Sequence, residues 1–380
     1  MAPFTSLFVA GAHRSGSSLL EKLLCNHPRL SVLSQPSPQL FVDVKRAFLG
    51  ALGVADDELP LGNLFRESRY EPAALVHFLQ TYRMDGAALR ATFERGAGYS
   101  GTYTAFDAAQ MSTFVDAVAP ATLDEVLEAL YRGFAHRADA VVFGAKETGS
   151  EEFLPYLLSR GFAGIVILRD PRDLIASLSR GRASEFTGRR KPTLFNIRNW
   201  RKSVAIALHL EREEGFVCIR YEDLCAEPVR ELNRVASVLG IGSFDERAVA
   251  GELRDQQGRV WAGNSSHAPR ALVSSSSVGT FAQHLSPDVV RYVEATCLPE
   301  LVALGYTVSL DADGARDVIH TFRDPEPLER AELRSYLDHD ARAREELRRL
   351  ELLQQAGVDD ARAYFVFDDV RDRLARCVTA

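Results

Sequence analysis

Four short runs of apolar and β-branched residues divide the sequence, and helical patterns separate them. They read SLFVAG at 6–11, AVVFGA at 140–145, GIVILR at 164–169 and FVCIR at 216–220. Runs of this length, bounded by turn residues and alternating with helices, are typical of parallel strands buried on both faces. The sequence therefore predicts an α/β fold whose ligands bind at the carboxyl ends of the strands.

The segments after three of these runs carry start and stop signals for helices. The first is followed by LLEKLLCNHP, which predicts a helix that ends near Pro28. After the third, Asp170 can cap a helix, Pro171 suits its first turn and Gly181 can end it. The fourth is followed by AEPVRELNRVASVLGIG, which repeats the pattern.

About 125 residues separate the first two predicted strands. The helical stretches LVHFLQTYRM and LDEVLEALYRGF lie there, together with a Gly/Tyr-rich loop, GAGYSGTYTAF. An insertion of this size at the strand ends is where a substrate pocket is usually built. We therefore predict a mostly helical insertion over residues 35–139.

The character of the chain changes from about residue 311, which predicts a main domain over 1–310 and a C-terminal helical extension over 311–380. A charged, leucine-patterned helix is expected there, with Gly357 as its stop. Leucines at 347, 350 and 353 form a narrow apolar stripe that must be covered. The cover is either the chain itself, packed over its substrate opening, or a second subunit in a homodimer. Packing within the chain is slightly favoured.

Composition limits the partners and the location. Acidic residues outnumber basic ones by 52 to 45, so attraction of the whole surface to nucleic acid is not expected. No apolar run approaches the roughly 18 residues that span a bilayer, and the start lacks the basic region of a signal peptide. The five cysteines are odd in number and lack metal-site spacing. These features predict a cytoplasmic protein with reduced thiols, no metal site and no membrane contact.

The loop GAHRSGSS follows the first predicted strand. Gly11 and Gly16 have the spacing of the P-loop, but the lysine of that motif is missing because Ser17 and Ser18 follow Gly16. A glycine-rich turn between a strand and a helix aims backbone N–H groups at one point, and Arg14 adds a positive charge. An anion site without the usual contact to a triphosphate is predicted here, and an ordinary strand–helix turn is the alternative.

Two further segments follow strand ends. In ILRDPRDLIASL, Arg169 ends a strand and Ser177 lies about two turns into the next helix, which indicates a second anion site; a salt bridge that closes the turn is the alternative. In IRYEDL, Tyr221 either contacts a ligand or ties the loop to the core.

Taken together, these segments resemble the sulfotransferases that use 3′-phosphoadenosine 5′-phosphosulfate (PAPS), in particular the group with the tyrosylprotein sulfotransferases and many bacterial enzymes. The quoted matches are GAHRSGSSL, KET at 146–148, RDPRDLIAS at 169–177 and RYEDL at 220–224. The tail SSSVGTFAQHLSPDVVRYVEATCLPELVALGY is also similar, so the resemblance covers roughly residues 6–306.

The resemblance implies a P-loop-like three-layer fold with a central parallel sheet and a nucleotide site for PAPS or its product PAP. The residues it implies for nucleotide binding are Gly11, Arg14, Ser15, Gly16, Ser17, Ser18, Arg169, Ser177, Tyr221 and Gly279. The first loop would hold the 5′-phosphosulfate, Arg169 and Ser177 the 3′-phosphate, and Tyr221 would lie near the adenine. Lys146 would neutralise charge on the transferred sulfate.

The predicted reaction moves the sulfuryl group from PAPS, in line and without a metal, to a hydroxyl or amine. The expected acceptor is a small molecule, a sugar or a natural product, and the composition resembles bacterial proteins. Arg14 and Lys146 are predicted to stabilise the charge that develops on the bridging oxygen.

The chain departs from the family pattern at two places. Where the tyrosylprotein enzymes have a glutamate base, this sequence has Ser34 and Gln35, neither of which is a competent base. His13, Glu67 and Glu147 are the candidate replacements, and His13 is included in the predicted catalytic set. A basic residue expected in the tail is also missing, since Thr280 and Phe281 stand there. A basic loop could compensate through Arg180, Arg182, Arg189, Arg190 and Lys191.

Two other functions stay open at this point. A nucleotide kinase or NTPase with a degenerate P-loop would act on ATP with Mg²⁺. A scaffold protein would bind PAPS or PAP and transfer nothing.

Overall fold

The computed structural model describes residues 4–54, 71–97, 107–179, 191–255, 258–261, 272–325, 331–355 and 363–378. Most of the predicted Gly/Tyr-rich loop, and the predicted helix stops Gly181 and Gly357, lie outside these residues. The chain forms two compact units. The sheet unit comprises Met1–Asp56, Tyr70–Leu168 and Leu210–Ser275, and the helical unit comprises Asp57–Arg69, Arg169–His209 and Ser276–Ala380.

A parallel sheet lies at the centre of the sheet unit. Its described strands are β1 (Ser6–Ala10), β2 (Leu30–Ser34), β3 (Val142–Lys146), β4 (Ala163–Leu168) and β5 (Phe216–Arg220), in the order β2-β3-β1-β4-β5. Every residue of β1, β2 and β4 is buried. Since successive side chains of a strand point to opposite faces, both faces of the sheet are covered. The predicted α/β class with a central parallel sheet is confirmed.

The strand β2 was not predicted, because the sequence analysis identified four strands only. Its sequence LSVLS has serines at 31 and 34, which break the apolar run that marks a buried strand. The Ser31 hydroxyl accepts a hydrogen bond from the backbone N–H of His136 at 3.0 Å, so its burial is compensated. In the chain, β2 is the next strand after β1. In the sheet it lies at the edge, paired with β3.

The described helices are α1 (Ser17–Leu24), α2 (Pro38–Ala51), α3 (Pro72–Thr81), α4 (Gly86–Ala97), α5 (Ala108–Val118), α6 (Leu123–Gly133), α7 (Leu154–Ser159), α8 (Pro171–Leu178), α9 (Thr193–Leu210), α10 (Tyr221–Ala226), α11 (Pro228–Leu239), α12 (Glu246–Ala250), α13 (Pro287–Thr296), α14 (Leu298–Ala303), α15 (Ala312–Thr321), α16 (His339–Leu352) and α17 (Asp368–Val378). Short 3₁₀ helices span Glu151–Phe153, Phe281–Gln283 and Ala331–Leu337. Within the described residues, no helix is long and apolar enough to cross a membrane.

Helices α2 to α6 lie between β2 and β3, in agreement with the predicted helical insertion. The stretch LDEVLEALYRGF forms α6, which begins with a capping box between Thr122 and Glu125. After β4, Asp170 accepts a hydrogen bond from the N–H of Arg172 and caps α8, as the sequence predicted.

In the helical unit, α16 contacts the chain's own helices α9 and α14. Leu350 and Leu353 of the predicted stripe are buried, but Leu347 is only half-buried and Leu352 is fully buried instead. The stripe was predicted too narrow because the packed face also contains charged residues, Glu346 and Arg349, which ion pairs neutralise. The contacts seen are within the chain, whereas packing over a substrate opening, a homodimer and the domain boundary at 310 stay predictions.

Candidate active site

The loop between β1 and α1 has a backbone that few residues can adopt. A Cβ at Gly11 would lie 2.6 Å from the carbonyl oxygen of Ile167 on β4 and 2.8 Å from Ser15 Oγ, so only glycine fits. Gly16 has φ of 100° and Arg14 has φ of 72°. Left-handed backbone at a non-glycine residue costs about 1–3 kcal/mol and is concentrated at functional sites. The loop is therefore strained in the way that binding sites often are.

The same loop holds buried polar groups. Ser15 is fully buried, and its Oγ has no hydrogen-bond partner among the described residues. Ser17 is buried too, with its Oγ 3.3 Å from the Thr148 hydroxyl. Gly16 begins α1 without a capping side chain, so the first N–H groups of this helix are not satisfied by a cap. A buried hydroxyl without a partner beside an uncapped helix start fits an anion such as the 5′-phosphosulfate.

The Tyr221 ring packs directly against this loop. Tyr221 is buried and follows β5, so it reaches the carboxyl edge of the sheet. A Cβ at Gly16 would lie 2.3 Å from Tyr221 Cδ2. Position 16 thus requires glycine for two reasons: its φ is left-handed, and the Tyr221 ring leaves no room for a Cβ.

A substitution at Gly16 tests this arrangement. Gly16→Ala should lower the free energy of unfolding by about 2–4 kcal/mol, because the left-handed backbone and the clash with Tyr221 both cost energy. Gly53→Ala is the matched control, since Gly53 has φ of 67° with nothing within 4 Å of a Cβ. The control should cost only about 1 kcal/mol. Equal costs in chemical denaturation would show that the ring does not restrict Gly16.

The cation next to the loop is Lys146, at the carboxyl end of β3. It is paired in register with Val9 of β1, and it is 3% exposed. Its ammonium donates to Gln35 Oε1 at 3.2 Å. Burial lowers the pKa of Lys146, and the carboxylates of Glu21 and Glu147 partly offset this effect. Lys146 therefore comes from β3, the strand beside β1. In a P-loop enzyme, by contrast, the lysine belongs to the loop itself.

Gln35 occupies the position at which a base was expected. Its φ is 48°, and Gln35 and Arg14 are the non-glycine residues with positive φ among those described. Its backbone N–H donates to the carbonyl of Lys146 at 2.8 Å, which fixes the end of β2 against the end of β3. An amide cannot take a proton from an acceptor, but here it orients the Lys146 ammonium.

The candidate replacement bases lie in different environments. Glu147 is 1% exposed, and its Oε1 accepts hydrogen bonds from the Ser37 N–H and hydroxyl, both at 2.9 Å. Burial raises the pKa of Glu147 to about 7, against the opposing effects of the Ser37 bonds and Lys146. His13 is exposed on the loop, and its Nε2 would lie 3.5 Å from a Cβ added to Gly149. Glu67 lies outside the described residues.

In the helical unit, Arg169 directly follows β4 and is 7% exposed. Its Nη2 donates to the carbonyl of Ser277 at 2.6 Å, and its own carbonyl accepts from the indole Nε1 of Trp200 at 2.8 Å. Ser177 is buried two turns along α8. Gly279 is exposed with φ of 70°. Arg169, Ser177 and Gly279 all belong to the helical unit. Residues that bind one phosphate together must lie in the same unit or at its edge, so this placement is compatible with a single phosphate subsite.

The basic loop predicted to assist lies mostly outside the described residues. Lys191 is described, and its ammonium lies 5.4 Å from the ring centroid of Phe195. This distance is that of a cation–π contact.

Comparison with known families adds an independent observation. The sulfotransferase-domain family matches residues 153–305. Residues 153–305 thus match a sulfotransferase domain. The match confirms the predicted family and the prediction of a sulfotransferase enzyme. Arg169, Ser177, Tyr221 and Gly279 fall inside the matched residues, whereas the loop at 11–18 and Lys146 precede them.

Several solved sulfotransferase structures are weakly similar to this chain. The sulfotransferase domain of the curacin biosynthetic pathway is 18% identical, covers 80% of this chain and 98% of its own, and has a TM-score of 0.43. That of the Synechococcus PCC 7002 olefin synthase is 17% identical with coverages of 82% and 92% and a TM-score of 0.38. The Alicyclobacillus acidocaldarius sulfotransferase is 14% identical with coverages of 80% and 96% and a TM-score of 0.37. A comparison with curated proteins found no match.

Three residues around the candidate site were not predicted. Gln35 was read only as a missing base, although it contacts Lys146. Trp200 donates to the backbone carbonyl of Arg169, and Asp173 accepts from the backbone N–H of Gly279. The sequence gives no signal for contacts of this kind, since they depend on where distant backbone segments meet.

Proposed function

We propose that this chain transfers the sulfuryl group of PAPS to a hydroxyl or amine of a small molecule, sugar or natural product. The sulfotransferase domain supports the reaction class. The observation that carries the proposal is the position of Lys146, which comes from β3 and lies beside a glycine loop without its own lysine. A cation so placed can neutralise charge on a sulfate held at the loop.

The first loop is proposed to bind the 5′ end of the nucleotide. Ser15, Ser17 and Ser18 and the N–H groups at the start of α1 donate hydrogen bonds to the phosphosulfate. Arg14 and Lys146 supply positive charge where the bridging oxygen gains negative charge. PAPS itself supplies an activated sulfuryl group. No metal has a role in this proposal.

The 3′-phosphate is proposed to bind in the helical unit, to Arg169 and Ser177 with the Gly279 backbone. The Ser277 carbonyl orients Arg169, whose guanidinium is the kind of group that binds phosphate oxygens through paired N–H donors. Tyr221 is proposed to contact the adenine with the part of its ring that does not face Gly16.

Proton removal from the acceptor is proposed to fall to His13. His13 is exposed on the loop, whereas Glu147 is enclosed and holds the Ser37 segment. An acceptor such as an amine or an acidic hydroxyl would need little help. The proposal also includes a cytoplasmic location and a bacterial source.

A second candidate function follows from Gln35. Because an amide stands where the family has a base, the chain could bind PAPS as a scaffold and transfer nothing. The NTPase alternative has lost its support, since neither Ser17 nor Ser18 replaces the missing lysine.

A screen with radiolabelled PAPS tests the proposal. The purified chain is incubated with panels of phenols, amines, sugars and natural-product alcohols, without Mg²⁺, and labelled products are separated. We expect label in at least one acceptor class together with stoichiometric release of PAP. Binding of PAP without transfer to any panel would favour the scaffold. Hydrolysis of ATP with Mg²⁺ and no binding of PAP would favour the NTPase.

A further inference from the structure

The turn Ser277–Phe281 lies next to α8 in the helical unit. It is the segment in which a basic residue was expected and where Thr280 and Phe281 stand. Gly279 at its centre is exposed, and nothing lies within 4 Å of a Cβ built there. One side of this turn is therefore open to a ligand.

Asp173 holds the closed side. Its Oδ2 accepts from the N–H of Gly279 at 2.6 Å, and its Oδ1 accepts from the N–H of Phe281 at 2.9 Å. Asp173 is 2% exposed, so these bonds form away from water. Hydrogen bonds to an ionised acceptor are about twice as strong as neutral ones. One carboxylate thus fixes two alternate peptide groups of the turn.

Asp173 also restrains Arg169. Its Oδ2 lies 4.0 Å from Arg169 Nη2, which in turn donates to the carbonyl of Ser277 at 2.6 Å. Burial raises the pKa of Asp173, while the charge of Arg169 and the bonds from the turn oppose this rise. The carboxylate and the turn together keep the guanidinium in one orientation, which saves the entropy that a free arginine would lose on binding.

Arg172 does not compete for the same role. It is paired with Asp170 at 2.7 Å and with Glu294 at 2.6 Å, so two carboxylates neutralise its charge. Its guanidinium lies 4.5 Å from the ring centroid of Phe281 and gives the turn a further anchor. Arg169 is therefore the arginine of this α8 segment that suits a phosphate.

We infer that Asp173 is the positioning residue of the 3′-phosphate subsite: it holds the turn Ser277–Phe281 and the Arg169 guanidinium in the orientation that binds a 3′-phosphate. This inference rests on the proposed function. The turn held by Asp173 compensates for the missing basic residue, because it keeps the Arg169 guanidinium in one orientation.

The test measures the affinities of PAP and AMP, which differ by the 3′-phosphate, in calorimetric titrations of the full chain. Asp173→Asn places an NH₂ group against an N–H donor of the turn and should weaken PAP about tenfold while AMP changes less than twofold. Retained AMP binding shows that the variant is folded. If the variant binds neither, Asp173→Ala, which has no such opposed donors, decides by the same criterion.

Asp324→Asn is the matched control. Asp324 lies in the same unit and holds the start of α9, because it accepts from the Thr193 N–H at 2.6 Å and from the Thr193 hydroxyl at 3.1 Å. It should leave the ratio of PAP to AMP affinity unchanged. Equal losses of PAP and AMP affinity in the Asp173 variants would overturn the inference, and so would tighter binding of PAP. A wild-type chain that binds PAP and AMP equally would overturn the proposed function itself.

Discussion

Replacing Lys146 by alanine should lower the turnover of sulfuryl transfer about 10²–10³-fold, the usual cost of removing one group that stabilises transition-state charge. The ammonium is buried at the edge of β3, where little water can replace it. Its interaction grows as charge develops, so the affinity for PAP should change little. Steady-state kinetics with labelled PAPS and titration with PAP measure the two effects separately.

Arg169→Ala is the contrasting variant. It removes a charge-assisted contact worth roughly 1.5–3 kcal/mol, so PAP affinity should fall about 10- to 100-fold. Lys146→Arg keeps the charge and should retain more turnover than Lys146→Ala. If Lys146→Ala weakens PAP as much as Arg169→Ala does, the two residues do not divide the roles as proposed.

Glu346→Ala should destabilise the helical unit by about 3–5 kcal/mol, because it removes the carboxylate shared by two buried arginines and leaves Arg198 only its pair with Glu345. Arg201 Nη1 donates to Glu346 Oε2 at 2.6 Å, and Arg198 Nη2 donates to Oε1 at 2.7 Å. All three side chains are at most 3% exposed. Chemical denaturation followed by circular dichroism measures the change.

Glu351→Ala on the same helix is the control for this variant. Its carboxylate is 43% exposed and pairs with Arg348 at 3.3 Å, so its loss should cost less than about 1 kcal/mol. If both variants cost the same small amount, the buried ion pairs do not attach α16 to the rest of the unit.

The stability from Glu346 should depend on pH. Burial opposes its ionisation, but Arg201 and Arg198 outweigh burial and lower its pKa to about 2. Since the pKa is lower in the folded state, the contribution is complete above the unfolded value of about 4.5 and is lost as the pH falls towards 2. Glu346→Gln should remove this part of the acid dependence.

Much of the sheet unit could be predicted from the sequence. Strands β1, β3, β4 and β5 are nearly continuous apolar runs. In the helical unit, the cap at Asp170 also has a local signal. The strand β2 could not, because its serines hide a buried strand whose polar groups are satisfied by a residue about a hundred positions away.

The contacts that build the site were less predictable. Gln35 touches Lys146 only because β2 ends beside β3, and Asp173 holds Gly279 across 106 residues of chain. Likewise, charged residues such as Glu346 and Arg349 usually indicate an exposed helix face. Here both are buried, because each forms an ion pair with a distant residue of opposite charge. Pairing between distant residues leaves no periodic signal in a single sequence.

Titration of the wild-type chain with PAP and with AMP, in the absence of Mg²⁺, tests most directly whether this chain is built for PAPS. PAP should bind at least about tenfold more tightly than AMP, because Arg169 contributes a charge-assisted contact to the 3′-phosphate alone. Equal affinities for the two nucleotides, or tighter binding of ATP with Mg²⁺ than of PAP, would contradict it.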